Sequence, residues 1–214
     1  MAEELFRMEG ISKSFPGVKA LDHVHLDVNK GEVLGLVGEN GAGKSTLMKI
    51  LSGVYHADEG EIFIEGQRVK IDSVAKAHEL GISIIMQELN MCGHLSVADN
   101  IFIGRAHKKG IFIDDAKMHQ EAQKILDDLG IDLDTHTRVG DLSVAKQQMV
   151  EIAKAISFHS KILVLDEPTA TLTEREIDQL FEIIRRLQDK GVGMVYISHR
   201  ITFANICINT TYEK

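Results

Sequence analysis

Gly38-Glu39-Asn40-Gly41-Ala42-Gly43-Lys44-Ser45-Thr46 is the stretch on which the fold turns. It matches G-x-x-x-x-G-K-[ST] in full, the spacing of a loop that wraps a nucleoside triphosphate. Its flanks are what such a loop needs: Val33-Leu34-Gly35-Leu36-Val37 reads as a short buried strand, and residues 44–51 as the start of a helix. The three glycines let successive N–H groups turn inward toward phosphate oxygens. The positive end of the following helix faces the same anion. Lys44 adds a full charge, and the Ser45 hydroxyl is placed to hold Mg²⁺.

Length and composition set bounds around this loop. A chain of 214 residues buries one sizeable core with room for a small appended subdomain. Its formal net charge of -8 argues against a nucleic-acid partner, and Arg185, Arg186 and Lys190 read as the solvated face of a helix. No apolar stretch approaches the roughly 18 residues of a membrane span, and Met-Ala-Glu-Glu-Leu lacks the profile of a secretion signal. Cys92 and Cys207 stand far apart without metal-ligand spacing, which predicts reduced thiols in a cytosol. His23 and His25 would share a strand face, yet no further ligands are spaced nearby, so they read as surface histidines.

The opening of the chain predicts an antiparallel β region, with strands at Leu5–Ile11, Val24–Val28 and Glu61–Ile64. Turns are expected at Phe15-Pro16-Gly17 and Asp58-Glu59-Gly60. Ile82–Met86, Ile162–Leu165 and Gly193–Ile197 are nearly all apolar, as in a sheet covered on both faces. Helical patterns lie at 44–52, 74–80, 115–129, 146–158 and 174–190. The alternation predicts an α/β fold, a parallel sheet flanked by helices. Residues 90–158 carry two good helices and no strong strand, and read as a helical subdomain inserted into that core. Arg200–Lys214 is polar and poorly patterned.

A second constellation closes the chemistry. Ile162-Leu163-Val164-Leu165-Asp166-Glu167-Pro168-Thr169 is a buried strand ending in two carboxylates. An acid at the tip of one parallel strand, beside a phosphate loop at the tip of another, is how such folds hold Mg²⁺. Asp166 would take the metal, directly or through water, and Glu167 would polarise an attacking water.

These residues carry a resemblance, running from about residue 4 to residue 199, to the nucleotide-binding domain of ATP-binding-cassette (ABC) transporters, P-loop NTPases. The resemblance implies that Phe15 stacks on adenine and that Gln87 senses the γ-phosphate and Mg²⁺ near the membrane partner. It places Leu142-Ser143-Val144-Ala145-Lys146-Gln147-Gln148 at the signature position, just before a helix at Met149–Ile156, with Ser143 donating to a γ-phosphate across a dimer. It makes His199 the switch histidine. The stretches 53–60, 95–105 and 147–155 resemble bacterial monosaccharide importers of the ribose, galactose and xylose type. The implied ligands are ATP and Mg²⁺. The implied partners are a second nucleotide-binding domain (in tandem or as a dimer), a membrane permease and, indirectly, a periplasmic sugar-binding protein, with no nucleic acid. The implied location is the inner face of the plasma membrane. Two other readings stand beside an ATPase energising sugar import: an impaired or regulatory ATP-binding half, and a soluble ABC ATPase outside transport.

The sequence also departs from the family. Val144 and Ala145 replace the two signature glycines and Lys146 the glutamine, which reads as a weakened signature, not a lost one. Thr173 stands where many members have an aspartate coupling two sites. Past His199 the family continues with a helix and further strands, which Ile201–Lys214 does not resemble. The expectation is one nucleotide-binding domain over 1–214, cut short after about residue 200 as a shortened or frame-shifted product, and about the first half of a tandem polypeptide.

Overall fold

A computed structural model describes residues 3–39, 41–86, 90–110, 112–198 and, as a backbone, 210–213. The chain divides into two compact units: the first is Met1–Ile84, Ser160–Glu167 and Leu187–Lys214, the second Ile85–His159 and Pro168–Arg186.

The first unit holds two sheets. β1 (Glu4–Phe15) and β2 (Val18–Asn29) pair antiparallel across the Pro16-Gly17 turn, and β4 (Glu59–Ile64) and β5 (Gln67–Val69) extend the sheet in the order β2-β1-β4-β5. Of the expected turn at Asp58-Glu59-Gly60, Glu59 and Gly60 instead open β4. Gly60 sits at φ 102, where a Cβ would lie 2.6 Å from the Glu9 carbonyl oxygen of β1, so the glycine serves a close strand approach. The second sheet runs β11-β3-β10-β9-β6, built from β3 (Val33–Val37), β6 (Ile82–Ile85), β9 (Ile162–Asp166), β10 (Gly193–Ser198) and β11 (Thr210–Glu213). The pairs β10–β3, β10–β9 and β11–β3 are parallel. Every residue of β3 and β10 is buried, the physical reason these strands read as unbroken apolar runs. The poorly patterned tail thus contributes a strand at the β3 edge, a segment with no apolar run to announce it.

Gly193 brings the two sheets together, since a Cβ there would stand 2.5 Å from Leu5 Cδ2 and 3.1 Å from the Asn29 carbonyl oxygen. Between them α1 (Lys44–Leu51) buries Leu47, Met48, Ile50 and Leu51 against a core that includes Phe6, Met8, Leu34 and Val195. Each such side chain contributes about 1.5–3 kcal/mol on full burial. α2 (Val74–Glu79) is capped by Ser73, whose hydroxyl accepts from the Lys76 N–H.

The second unit is helical. α4 (Asp115–Leu129) matches its predicted span; α5 (Val144–Ile156) begins before the expected 146 or 149, because the Ser143 hydroxyl caps it at once. α6 spans Glu174–Asp189. Periodicity had shown nothing at α3 (Val97–Ile101), which is too short for a stripe and is held by a reciprocal capping box between Ser96 and Asp99. The Asn100 amide donates to the carbonyls of Cys92 and Ser96 and accepts from the Cys92 N–H, tying the loop before α3 to it. A two-residue-per-strand hairpin, β7 (Lys108–Lys109) with β8 (Phe112–Ile113), follows.

Candidate functional site

The C-terminal ends of β3, β9 and β10 share one edge, with Val37 opposite Ser198 and Asp166 opposite Ile197. Here the loop after β3 turns into α1. Gly41 and Gly43 both adopt left-handed backbone, φ 87 and 86. At Gly43 a Cβ would stand 2.5 Å from the Ala20 carbonyl oxygen and 2.8 Å from Leu21 Cδ2, so only glycine fits. As the N-cap of α1, Gly43 offers no side-chain cap, and the first turn carries no acid. The helix therefore keeps its N–H groups and positive end for an external anion.

Lys44 is buried to 9% exposure, and its Nζ donates to the carbonyls of Gly38 (2.6 Å) and Glu39 (2.8 Å). Loop oxygens hold the ammonium in place until a stronger anionic acceptor arrives. Ser45 is exposed at the head of α1, with Thr46 beside it.

Asp166 and Glu167 stand at the end of β9, both half-buried. Burial, and then the neighbouring Glu167 charge, push the Asp166 carboxyl above its ordinary range, while Lys44 and Lys49 pull the other way. Glu167 sits at φ 48, a left-handed conformation costing an L-residue roughly 1–2 kcal/mol, and its N–H donates to the Ile197 carbonyl at 3.1 Å. Strain of this kind persists where the surroundings over-determine it. It turns the chain at Glu167, directly after the last residue of β9.

A cavity of about 410 Å³ gathers these parts: Phe15, Gly41 to Thr46, Asp166, Glu167 and Ile197 line it. Phe15 is half-exposed, packed edge-on to Tyr55 at 5.4 Å, and holds an aromatic flank at the mouth. Sequence reasoning missed Val18, Lys19 and Ala20 at the start of β2, which also line it. The signal was the Pro16-Gly17 turn, which returns the chain past Phe15. It missed Lys49 as well, five residues beyond Lys44 on α1 and a cation acting on Asp166. A second cavity of about 280 Å³ lies within the helical unit, where Lys146 and Arg186 are offset by Asp132 and Glu182, and it carries no phosphate loop.

The donor set fits Mg²⁺. Ser45 and Asp166 offer hard oxygens, and among the described residues no group of three or more His, Cys, Asp or Glu forms a cage that would hold an ion unaided. Mg²⁺ is characteristically held by one or two protein oxygens together with substrate phosphates and water.

Ser143 lies in the helical unit, exposed, at φ -61, its hydroxyl accepting from the Lys146 N–H at 3.4 Å. Val144 and Ala145 fall in the first turn of α5, and neither has positive φ, so replacing two glycines there costs no backbone strain. The Thr173 N–H and hydroxyl both donate to Glu176 at the head of α6, which holds that carboxyl below its usual range. Asn40, Gln87 and His199 lie outside the described residues.

A glycine loop opening a helix at the tip of one buried strand, beside a carboxylate pair at the tip of another, agrees with the comparisons. The ABC transporter family profile matches residues 21–170. The chain belongs to the ABC transporter family. A putative ribose/galactose/methyl galactoside import ATP-binding protein of Albidiferax ferrireducens is 55% identical over 199 residues, 92% of this chain and 40% of that relative. The galactose/methyl galactoside import ATP-binding protein MglA of Clostridium perfringens is 52% identical over 200 residues, covering 94% of this chain and 39% of its own. The chain thus spans about two fifths of the length of these relatives. Among solved structures, the ADP conformation of MJ1267, an ATP-binding cassette of an ABC transporter, superposes with a TM-score of 0.88 at 31% identity, over 98% of this chain and 87% of that one. The α/β architecture with an added antiparallel sheet is the ABC ATPase fold. Among the described residues no helix is long and apolar enough to cross a membrane.

Proposed function

We propose that this chain binds and hydrolyses ATP and energises carbohydrate import through a membrane permease. The observation that carries the reading is the single cavity bringing Phe15, the Gly41–Thr46 loop, Asp166 and Glu167 together. The sugar-import functions in the names of relatives above half identity support the sugar assignment.

Phe15 stacks on adenine, and the N–H groups of Gly38 to Thr46, Asn40 among them, wrap the phosphates. The Lys44 ammonium exchanges the Gly38 and Glu39 carbonyls for β- and γ-phosphate oxygens. Ser45, Gln87 and Asp166 would hold Mg²⁺, which would supply positive charge to neutralise the phosphate oxygens. Glu167 orients a water in line with the γ-phosphorus and accepts its proton; Lys44 and His199 offset charge growing on the γ-oxygens. Ser143 caps α5 as an acceptor and keeps its own proton, which it donates to the γ-phosphate held by a second nucleotide-binding domain. Closure of the two domains and release after hydrolysis drive the permease, with a periplasmic sugar-binding protein upstream and this chain on the inner membrane face. Residues 1–214 form one nucleotide-binding domain with a helical insertion.

Equilibrium dialysis with ATP, with and without Mg²⁺, tests the binding half, and phosphate release with a complete partner domain tests hydrolysis. Magnesium-independent or absent ATP uptake by the folded chain would remove the reading. The substitutions at Val144, Ala145 and Lys146 favour a second reading, a regulatory ATP-binding half. That reading expects magnesium-dependent binding without turnover even beside a competent partner.

A further inference from the structure

The hairpin in the helical unit is unlike the surface around it. The stretch Arg105–Ile113 holds three cationic side chains of Arg and Lys and no carboxylate, in a chain of net charge -8. Its root is fixed. The Arg105 guanidinium turns inward, stacking 3.5 Å from the Phe158 ring and donating to the Ser157 carbonyl and hydroxyl and to the Ile101 carbonyl. The Asp114 N–H closes the base on the His107 carbonyl at 2.8 Å, and His107 Nε2 lies 2.7 Å from Glu121 on α4.

The strands above this root are exposed. Phe112 is 73% and Ile113 62% accessible, the two most exposed of the large apolar side chains among the described residues. Lys108 pairs with Ile113 and Lys109 with Phe112, and directly opposed residues share a face, so each face presents one ammonium beside one apolar group. Both lysines are exposed, and neither makes an ion pair with a described residue. The acids that follow are engaged elsewhere: Asp114 caps α4 by accepting from the Lys117 N–H, and Asp115 faces His119 at 3.7 Å.

We propose that the β7–β8 hairpin is a lipid-contact element for an anionic bilayer. Phe112 and Ile113 enter the headgroup boundary, and Lys108 and Lys109 extend along it to lipid phosphates. Charge complementarity selects this occupant. An acidic chain is repelled by an anionic surface except where it presents a local cation pair, and a bilayer boundary offers an apolar layer and fixed phosphates within reach of a lysine stem. The proposal does not depend on nucleotide chemistry.

Flotation of the whole chain with vesicles tests it, using phosphatidylcholine alone and an equal mixture with phosphatidylglycerol at low salt. The chain is expected to float with the mixed vesicles and not with phosphatidylcholine. Lys108→Gln and Lys109→Gln should each weaken flotation about fivefold, the equivalent of one surface cation. The Phe112→Ser, Ile113→Ser double variant should fall to background. These side chains are exposed, so melting temperature and ATP binding should stay at wild-type values, separating this result from failure of the ATPase reading. The proposal is overturned if the wild-type chain ignores anionic vesicles or if the variants float like it. It is equally overturned if the variants lose binding only to membranes that carry a permease, which would make the partner a protein.

Discussion

Two helix starts in this molecule solve the same problem in opposite ways. α1 opens on Gly43 at φ 86, with no side-chain cap and no acid in its first turn. α5 opens on Ser143 at φ -61, and its own hydroxyl takes an N–H of the first turn. The resemblance drawn from the sequence places both heads at motifs that the ABC family writes with glycine. Only the first keeps its glycines here, because there the backbone is left-handed and Ala20 crowds the Cβ position. At α5 the glycine positions lie in ordinary helix, and Val144 and Ala145 occupy them without strain. A glycine in a motif is therefore a requirement only where φ or a close neighbour makes it one. An uncapped helix head is also where an anion from outside is expected.

The sharpest test of that asymmetry removes the chemistry and leaves the anion grip intact. Glu167→Gln should lower phosphate release by about 10²–10⁴-fold, the usual span for loss of a general base, while ATP affinity stays within a few-fold. Because the amide keeps the shape and the φ 48 backbone, folding should be unchanged by circular dichroism. Unchanged turnover would take Glu167 out of its role and leave the α1 head as a binding site alone.

Gly43→Ala attacks the grip itself. The methyl must displace Ala20 or reshape the loop, and left-handed alanine costs roughly 1–2 kcal/mol before any clash. A lower melting temperature is expected, with ATP binding weakened tenfold or more by titration calorimetry. Wild-type affinity would mean that the loop has another conformation in solution.

Asp166 tests the electrostatics of the same edge. Burial and Glu167 raise its carboxyl, so the folded chain holds that proton more tightly than the unfolded chain. Its contribution to stability is then present in full below the unfolded pKa and lost as pH rises through the folded one. Without nucleotide, Asp166→Asn should melt somewhat higher than wild type at neutral pH, with the gap closing on acidification. Magnesium dependence of ATP binding should weaken in the same variant, and in wild type it should fade on acidification at a higher pH than an ordinary aspartate predicts. A gap that widens toward low pH would reverse the assignment.

Much of this edge is legible in the sequence. Val33–Val37, Ile162–Leu165 and Gly193–Ile197 are apolar because both faces are covered, and burial writes itself into composition. The loop was legible because its glycines answer to φ. What escaped had no such imprint. α3 is five residues long and rests on a Ser96–Asp99 capping box. β5, β7 and β8 are three residues or fewer. α5 begins ahead of its apolar stripe, because its first turn rests on the Ser143 cap and not on apolar spacing. Val18, Lys19 and Ala20 were missed since they reach the cavity through a turn, a relation that no linear spacing records.

The smallest effect is the mirror of Gly43→Ala. Ala145→Gly restores a family glycine at the head of α5, and intuition from the motif says it should help. The structure predicts the reverse for stability. Ala145 is buried and helical, so glycine gives up a packed methyl and adds backbone entropy to the unfolded chain, together about 1 kcal/mol. Chemical denaturation should show that loss, while ATP binding at the α1 head, which rests on other residues, should not move. Should Ala145→Gly instead raise turnover beside a partner domain without a stability cost, the family glycine would be serving close approach of the phosphate to the α5 backbone. Strain would then be the wrong measure of what Val144 and Ala145 changed.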